Sequence, residues 1–360
     1  MLTTADAAAW EAALPASASI FGSLGFARVQ EQMGAGEARL LVAETGGARV
    51  AYPLLLRPLE PLGLGAPQGA RCDAASPPFT GPLVFGRLDA GREAELAEAI
   101  ADALRAAGAV AEFAHLHPWR SRAALAGGGE PDREIVWVDT TLEQERLLRE
   151  SYTHACRKNV RRAEREGVIV REAEGDADIE AFHRIYIATM ERNRARREYF
   201  FGLDYFLAIR RELGAQARFA IAEREGVPLA ATLYLHDDED VYSYLGGADH
   251  AHQRLRPTNA VVHATIAWAR ERGKRRLVLG GGYRSDDGIF RFKASFSPLR
   301  ATLALGRRVL QPSAYEVLVA AWRSRHGAEP GGYFPAYRAA PPTAPEEARS
   351  EGAEARGGRP

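Results

Sequence analysis

An internal repeat constrains this chain more than any other feature of its sequence. Residues 39–56 (RLLVAETGGARVAYPLLL) and residues 218–235 (RFAIAEREGVPLAATLYL) align without gaps and are identical at seven of eighteen positions. Each stretch predicts two strands joined by a glycine turn. Each is followed by a helix, a glycine and a strand, over residues 97–114 and 263–279. A shared β-pattern alone could produce two similar hairpins, but the matching elements that follow favour duplication of one α/β unit.

The repeat predicts a mixed α/β (α+β) fold of two tandem units, each a mixed twisted sheet flanked by helices, with a cleft between them. The chain has 360 residues, of which 46% are hydrophobic, enough for two cores. We place the N-terminal unit at residues 1–139 and the C-terminal unit, with the candidate catalytic site, at residues 140–338. Residues 339–360 mix Pro, Ala, Glu and Gly and predict a disordered tail. A cleft between two like units is a natural ligand site.

Composition argues against several classes of protein. The formal net charge is zero, so no overall positive field favours nucleic acid, and such binding would need a local patch. The two cysteines, Cys72 and Cys156, are too few for a disulfide framework and lack metal-ligand spacing. Two pairs of histidines, His115 with His117 and His250 with His252, lack a third ligand at a suitable spacing, so we expect no metal site. No stretch has the pattern of a signal peptide or transmembrane segment, and we therefore expect a cytoplasmic protein.

Residues 280–298 (GGGYRSDDGIFRFKASFSP) hold the strongest candidate for chemistry. They predict a strand end, a glycine turn and a short helix that begins at the pair of aspartates. Lys293 is one of only three lysines among 47 basic residues, and it stands among aromatic side chains. We expect Ile289, Phe292 and Phe296 to pack inward as a helical stripe, with Lys293 at its edge facing a cleft. A surface lysine whose stem covers apolar residues is the alternative.

The order of elements in the C-terminal unit, β–α–α–β–β–β–α–β–α–β, resembles the GNAT acyltransferase fold. In that fold a helix presents its N-terminus to a pyrophosphate. The corresponding junction here is residues 246–259, where Pro257 suits the first helical turn and Arg254, Arg256 and Asn259 are candidate anion contacts. The spaced glycines of the acetyl-CoA loop are missing, which disfavours acetyl-CoA as the donor without excluding it.

Two such units in tandem resemble the Fem family, the FemAB/FemX-like branch of that superfamily. The resemblance covers roughly residues 20–310 and depends on the order and spacing of several motifs. The motifs are residues 73–82, 152–170, 182–199, 242–247 and 277–296, and the last of these carries the Phe-Lys pair near its end.

In that family an amino acid is moved from aminoacyl-tRNA to an amine of a peptidoglycan precursor, forming an amide. The resemblance implies that Lys293 stabilises either the oxyanion of the tetrahedral intermediate or the leaving hydroxylate, and that Phe292 shapes the pocket. It also implies substrate-binding roles for residues that would face the acceptor, which are Arg192, Arg197, Tyr199, Tyr244 and Asp73. No bound cofactor is implied. The donor is a co-substrate, aminoacyl-tRNA or acyl-CoA, and the acceptor is an amine such as a UDP- or lipid-linked muropeptide.

Two alternatives stay open. The same fold could use acyl-CoA or an acyl-carrier thioester in polysaccharide or small-molecule biosynthesis, or the chain could be a non-catalytic binding protein on the same scaffold. The basic run over residues 157–165 fits a solvated amphipathic helix at least as well as a tRNA or phosphate contact.

Overall fold

The computed structural model describes residues 1–282 and 287–341. Its N-terminal half begins with two helices and continues with strands and one long helix. In chain order these are α1 (Ala7–Ala13), α2 (Leu24–Gln32), β1 (Glu37–Thr45), β2 (Ala48–Pro58), β3 (Cys72–Ala75), β4 (Leu83–Gly86), α3 (Ala90–Ala106), β5 (Ala109–Leu116) and β6 (Glu130–Asp139).

The C-terminal half alternates helices and strands. In chain order these are α4 (Gln144–Arg146), α5 (His154–Arg165), β7 (Ile169–Glu172), α6 (Asp176–Arg192), α7 (Leu203–Leu213), β8 (Ala217–Arg224), β9 (Val227–His236), β10 (Asp240–Ala248), α8 (Pro257–Glu271), β11 (Arg276–Gly280), α9 (Gly288–Ala294), β12 (Arg300–Val309) and α10 (Pro312–His326).

The described strands form one continuous mixed sheet. Their order is β1-β2-β3-β5-β12-β6-β11-β10-β9-β8-β7, and β4 pairs with β2. Neighbouring strands are antiparallel except for β3 with β5 and β10 with β11, which are parallel. The predicted fold class, a mixed α/β arrangement with helices on the sheet faces, is confirmed, but the two units share one sheet and do not each have their own as predicted.

The two halves exchange a strand at the centre of this sheet. β6 follows β5 in the chain but pairs with β11, whereas β12 follows β11 but pairs with β5. β6 and β12 also pair with each other, so the strand order is nearly symmetric about them. Each half is therefore completed by a strand of the other. The division at residue 139/140 falls at the end of β6 and stays a prediction.

The predicted repeat corresponds to two hairpins of the same geometry, β1–β2 and β8–β9. In each, two residues connect the strands, and both of these have positive φ: 49° and 90° at Gly46 and Gly47, 53° and 76° at Glu225 and Gly226. Turns of this type match the twist of the strands they join, and glycine adopts positive φ without a steric penalty. The glycine shared by the two repeats occupies the second turn position in both.

Side chains that alternate along β8 face two different cores of the C-terminal half. Phe219 and Ile221 of β8 face α6 and α7, whereas Ala220 and Ala222 between them face α5 and α8. In the N-terminal half α3 covers one face of the sheet and α1 covers the other. Helix α2 contributes to the core that contains α6 and α7, so the halves share apolar contacts as well as strands.

The basic run over residues 157–165 belongs to α5, which follows a π-helical turn over Leu147–Ser151. Thr153 caps α5 by accepting a hydrogen bond from the Cys156 amide. Two expectations about other segments are corrected or fall on residues that the structure does not describe. Ile289 does not pack inward, because 39% of it is exposed. Most of the predicted disordered tail, residues 342–360, lies outside the described residues. No helix in the described ranges is long and apolar enough to cross a bilayer.

Candidate active site

The candidate site lies where β10 and β11 diverge. Three register pairs join these parallel strands, and the last of them is Tyr242 with Val278. Beyond that pair β10 remains hydrogen-bonded to β9 and β11 remains hydrogen-bonded to β6, so a cleft opens between β10 and β11. β10 also has a bulge there: Tyr244 has no register partner on β9, since Ser243 and Leu245 pair with consecutive residues of that strand.

A cavity of about 290 Å³ occupies this cleft. Its walls come from β6, α6, β10, the glycine turn after β11, and α9. The residues that line it are Arg133, Tyr186, Met190, Tyr199, Tyr244, Leu245, Gly246, Gly281, Gly282, Ile289 and Lys293. Aromatic and apolar side chains predominate, and Lys293 and Arg133 are the cations among them. This composition is typical of ligand sites, in which a few polar groups are placed on a mostly apolar surface.

Helix α9 delivers Lys293 into the cavity. The carboxylate of Asp287 caps this helix, with Oδ1 accepting a hydrogen bond of 2.7 Å from the amide of Phe290. Lys293 stands one turn after Ile289, so the two side chains share the helix face that lines the cavity. The ammonium nitrogen donates to the carbonyl oxygen of Gly281 at 2.7 Å. The prediction that this helix presents Lys293 to a cleft agrees with this geometry.

Burial changes the acidity of Lys293. Removal from water disfavours the charged form and lowers the pKa of Lys293 to about 8, an effect that the nearby Asp287 carboxylate partly opposes. A lysine with this pKa is largely an ammonium ion at neutral pH. It is also less stabilised by solvent than a surface lysine, so it interacts more strongly with a developing negative charge.

The glycine triplet makes room for this lysine. Gly280 has φ of 80°, and a Cβ atom there would lie 3.3 Å from Lys293 Nζ. A Cβ on Gly281 would lie 2.8 Å from the carbonyl oxygen of Glu134 on the exchanged strand β6. Other atoms therefore approach the backbone of the triplet closely at these two positions, which suits glycine.

Two of the tyrosines predicted to bind substrate line the same cavity. Tyr244 is half-buried, its hydroxyl lies 2.6 Å from the hydroxyl of Tyr205, and burial raises its pKa to about 12. Tyr199 is 38% exposed at the cavity mouth, and its carbonyl oxygen accepts a hydrogen bond from the hydroxyl of Tyr186. Tyr199 therefore offers a free ring face, whereas the hydroxyl of Tyr244 is already engaged.

The predicted arginines lie outside the cavity lining. Arg192 is exposed and donates to the carbonyl oxygen of Ala248 at 3.2 Å. Arg197 is exposed and begins the short 3₁₀ turn Arg197–Tyr199. The last residue of this turn, Tyr199, lines the cavity. Neither side chain lines the cavity, and the contact of Arg192 and Arg197 with an acceptor stays a prediction.

At the junction before α8, two of the three predicted anion contacts are exposed and the third is buried. Arg254 and Arg256 are exposed, and Arg256 has the left-handed conformation that precedes Pro257 at the first turn of α8. Asn259 is buried instead, and its amide nitrogen lies 3.9 Å from the sulfur of Cys156. Because its side chain lies between α8 and α5, Asn259 does not present an amide to a ligand at the helix N-terminus.

Asp73 and Phe292 occupy structural positions. Asp73 on β3 is completely buried; Oδ1 accepts from Arg57 Nε at 2.6 Å, and Oδ2 accepts from Arg338. Both oxygens are thus occupied, one by an arginine of the N-terminal half and one by an arginine near the end of the described chain, against the substrate-binding role that the resemblance implied. Phe292 does not line the cavity; it packs against the core that contains α5 and α8, with its ring centroid 5.4 Å from that of Phe296.

Five side chains of the cavity wall were not assigned to the site from the sequence: Arg133, Tyr186, Met190, Leu245 and Ile289. Arg133 is 55% exposed and belongs to β6, which enters this site only through the strand exchange. No sequence signal indicated that exchange. Tyr186 and Met190 recur at helical spacing in the sequence, but periodicity alone does not distinguish a cavity wall from a core.

The equivalent cleft in the N-terminal half is closed. β3 and β5 are parallel like β10 and β11, but the chain after β3 stays hydrogen-bonded to β5. The Ser76 amide donates to the Phe113 carbonyl at 2.9 Å, and the Thr80 amide donates to the His115 carbonyl at 3.1 Å. The interpretation that one half carries the chemistry is consistent with this difference.

In the described parts of the chain, no three His, Cys, Asp or Glu side chains are grouped to hold a metal ion. The donor set of the cavity, one ammonium, one guanidinium and phenol groups, likewise has little in common with a metal site.

A family model described as an acetyltransferase (GNAT) domain matches residues 151–294. This segment contains α5 to α9 and therefore nearly the whole cavity. No curated protein sequence matches the chain.

Comparison of folds extends the similarity to almost the whole chain. FemX superposes with a TM-score of 0.68 at 14% identity, covering 88% of this chain and 98% of FemX. The C-terminal domain of a putative lysylphosphatidylglycerol synthetase from Agrobacterium fabrum has a TM-score of 0.52 at 18% identity, covering 83% and 91%. L-PGS from Bacillus licheniformis has a TM-score of 0.50 at 14% identity, covering 82% and 94%. By its fold, the chain is a FemX-like form of the GNAT acyltransferase fold, as the sequence motifs indicated.

Proposed function

We propose that this protein is an N-acyltransferase that forms an amide between an activated aminoacyl donor and an amine. The observation that carries the proposal is the half-buried ammonium of Lys293 at the open end of β10 and β11. It stands in a cavity whose wall is mainly aromatic and apolar. A preorganised cation in such surroundings stabilises an oxyanion more than the same cation in water does.

The reaction follows from the position of this cation. The nitrogen of the acceptor amine attacks the acyl carbonyl carbon, a C–N bond forms, and the bond to the leaving oxygen of an aminoacyl ester breaks. Between these events the former carbonyl oxygen carries a negative charge, which the Lys293 ammonium stabilises as a hydrogen-bond donor. The proton lost by the amine leaves with the departing hydroxyl group. No covalent bond to the protein and no metal is required.

Two observations support an aminoacyl ester as the donor. One structural relative is named a putative lysylphosphatidylglycerol synthetase, and this name fits transfer of an amino acid better than transfer of acetate. The start of α8 also lacks the spaced glycines of an acetyl-CoA loop, and Asn259 there is buried. We therefore propose aminoacyl-tRNA as the donor and an amine of a peptidoglycan-like precursor as the acceptor, in the cytoplasm.

A thioester donor is the second candidate. The match to an acetyltransferase (GNAT) domain favours it. The exposed Arg254 and Arg256 beside the first turn of α8 also favour it, because cations and free amides at a helix N-terminus suit phosphate groups. In this alternative Lys293 has the same role and a thiolate is the leaving group. A non-catalytic binding protein would use the same cavity without turnover.

Incubation of the purified protein with charged tRNA or with acyl-CoA, together with candidate amines, separates these possibilities. Mass spectrometry of the amines gives the readout. A mass gain that depends on charged tRNA and disappears after RNase treatment supports the proposal. A gain that depends only on acyl-CoA supports the second candidate. No gain with any donor, together with full cellular function of Lys293→Ala, supports the binding protein.

A further inference from the structure

A buried ionic cluster joins β10 to β11 and to the N-terminal half, and none of its members takes part in the proposed reaction. Asp240 begins β10 and is completely buried. Arg276 Nε lies 2.6 Å from its Oδ1, and Arg120 Nη2 lies 2.6 Å from its Oδ2. Arg120 Nη1 also lies 3.0 Å from Asp237 Oδ2. Arg120, Asp240 and Arg276 are called the strand clamp below.

The strand clamp lies at the closed end of the cleft that Lys293 faces. Asp240 and Arg276 are the first of the three register pairs that join β10 to β11. The strands diverge after the third pair, and the residues that follow line the cavity. Because only three register pairs hold β10 and β11 together, the angle between the two strands at the strand clamp affects the width of the cavity at their other end.

The N-terminal half holds both strands at the same point. Arg120 lies just after β5, and the ring of the neighbouring Trp119 covers the guanidinium of Arg276 at 4.6 Å. His117, on the same segment, has its Nε2 2.9 Å from the hydroxyl of Tyr242 on β10. The N-terminal half therefore holds β10 through contacts with Asp240 and Tyr242, and it holds β11 through the contact with Arg276.

We infer that Arg120 and Arg276 are positioning residues of the Lys293 site, which fix the angle between β10 and β11 and keep the cavity narrow and poor in water. The catalytic part of this inference rests on the proposed function, whereas the effect on the cavity does not. Arginine suits this task because its planar fork contacts both oxygens of a carboxylate, which a lysine ammonium does not do.

The test replaces Arg276 with lysine, which keeps the charge but loses the two-point contact with Asp240. The chain offers a matched control in Arg308→Lys. Arg308 is 16% exposed against 15% for Arg276, and it pairs with the fully buried Glu112 across β12 and β5. Both changes weaken a buried cross-strand ion pair, but only one of the pairs is in the strand clamp.

Competitive labelling with trace acetic anhydride across a pH series, followed by digestion and mass spectrometry, gives the protonation midpoint of each lysine. The chain has only three lysines, and the exposed Lys158 serves as the internal reference. Asp287, Arg133 and the tyrosines of the wall also face Lys293, and they are the same in every variant.

The wild-type protein should show a Lys293 midpoint near pH 8. In Arg276→Lys the midpoint should rise by about one pH unit, because water that enters a wider cavity restores solvation of the ammonium. Arg308→Lys should leave the midpoint where it is in the wild type. An unchanged midpoint in folded Arg276→Lys overturns the inference. If that variant does not fold, Arg120→Lys is measured with the same two outcomes. Because labelling needs no substrate, an unchanged midpoint leaves the proposed function intact.

Discussion

The ammonium nitrogen of Lys293 lies 2.7 Å from the carbonyl oxygen of Gly281, so α9 is joined to the turn after β11 at the cavity wall. This contact uses one of the three hydrogen-bond donors of the ammonium and fixes its position. Within residues 1–282 and 287–341 the ammonium has no second hydrogen-bond acceptor, so its other two donors can reach a ligand in the cavity. The contact is local in sequence, twelve residues apart, yet it depends on Gly280, where a side chain would crowd the nitrogen.

Replacing Lys293 with methionine should stabilise the protein at pH 7. The pKa of Lys293 is about 8 in the folded protein and ordinarily 10.5, so the folded state holds fewer protons than the unfolded state between these values. The cost of burying the ammonium is therefore fully present below pH 8 and is lost as the pH rises towards 10.5. Lys293→Met should raise the free energy of unfolding at pH 7 by up to about 3 kcal/mol, measured by urea denaturation.

The pH dependence provides the control for that experiment. The difference in the free energy of unfolding between the variant and the wild type should shrink steadily above pH 8. A variant that is less stable than the wild type at pH 7 would show that the ammonium stabilises the fold, contrary to the description of the site.

Transfer activity should decline at alkaline pH. If the ammonium form of Lys293 stabilises the oxyanion, kcat/KM falls as the pH rises through about 8, where this group loses its proton. Lys293→Arg should be slower, because the guanidinium differs in shape, but it should show no decline up to pH 10, because arginine stays protonated. The same alkaline decline in both proteins would assign the titration to another group.

Gly280→Ala should reduce activity more than its effect on stability explains. The substitution forces alanine into φ of 80° and brings Cβ to 3.3 Å from Lys293 Nζ. The matched control is Gly226→Ala in the β8–β9 turn, where φ is 76° and no atom lies within 4 Å of the new Cβ. Both variants should lose about 1 kcal/mol of stability, measured by denaturation. Only Gly280→Ala should also lose transfer activity, by about tenfold. Equal activity of the two variants would show that Lys293 tolerates displacement.

Asp73→Ala should affect stability and not turnover. It leaves Arg57 and Arg338 without their shared carboxylate, and loss of one partner from a buried pair typically costs about 3–5 kcal/mol. Thermal unfolding should show this loss, whereas kcat per folded molecule should stay within about twofold of the wild type. A large decrease in kcat with normal unfolding would restore Asp73 to the substrate site.

The features predicted correctly from the sequence are those that local chemistry determines. The glycine turn of each hairpin and the capped helix that carries Lys293 both follow from nearby residues. Two of the tyrosines implied by the family resemblance also lie in the cavity with Lys293.

The features that were missed depend on distant contacts. Nothing in residues 130–139 shows that β6 will pair with β11, so Arg133 was not connected with Lys293. Asp73 has a motif position that resembles a site, but two arginines, one of them 265 residues away, occupy its oxygens. On α9 the buried face includes Phe290 rather than Ile289, because the open cleft leaves Ile289 without a covering element.

The most direct test of the central claim compares two lysines in one transfer assay with the donor and acceptor that give product. Lys293 and Lys274 are both half-buried and both donate to a backbone carbonyl, Lys274 to that of Asp237 at 2.6 Å, but only Lys293 lines the cavity. Lys293→Met should lower kcat/KM by about a hundredfold or more, whereas Lys274→Met should stay within about threefold of the wild type. A folded Lys293→Met variant with wild-type kcat/KM would contradict the role assigned to Lys293.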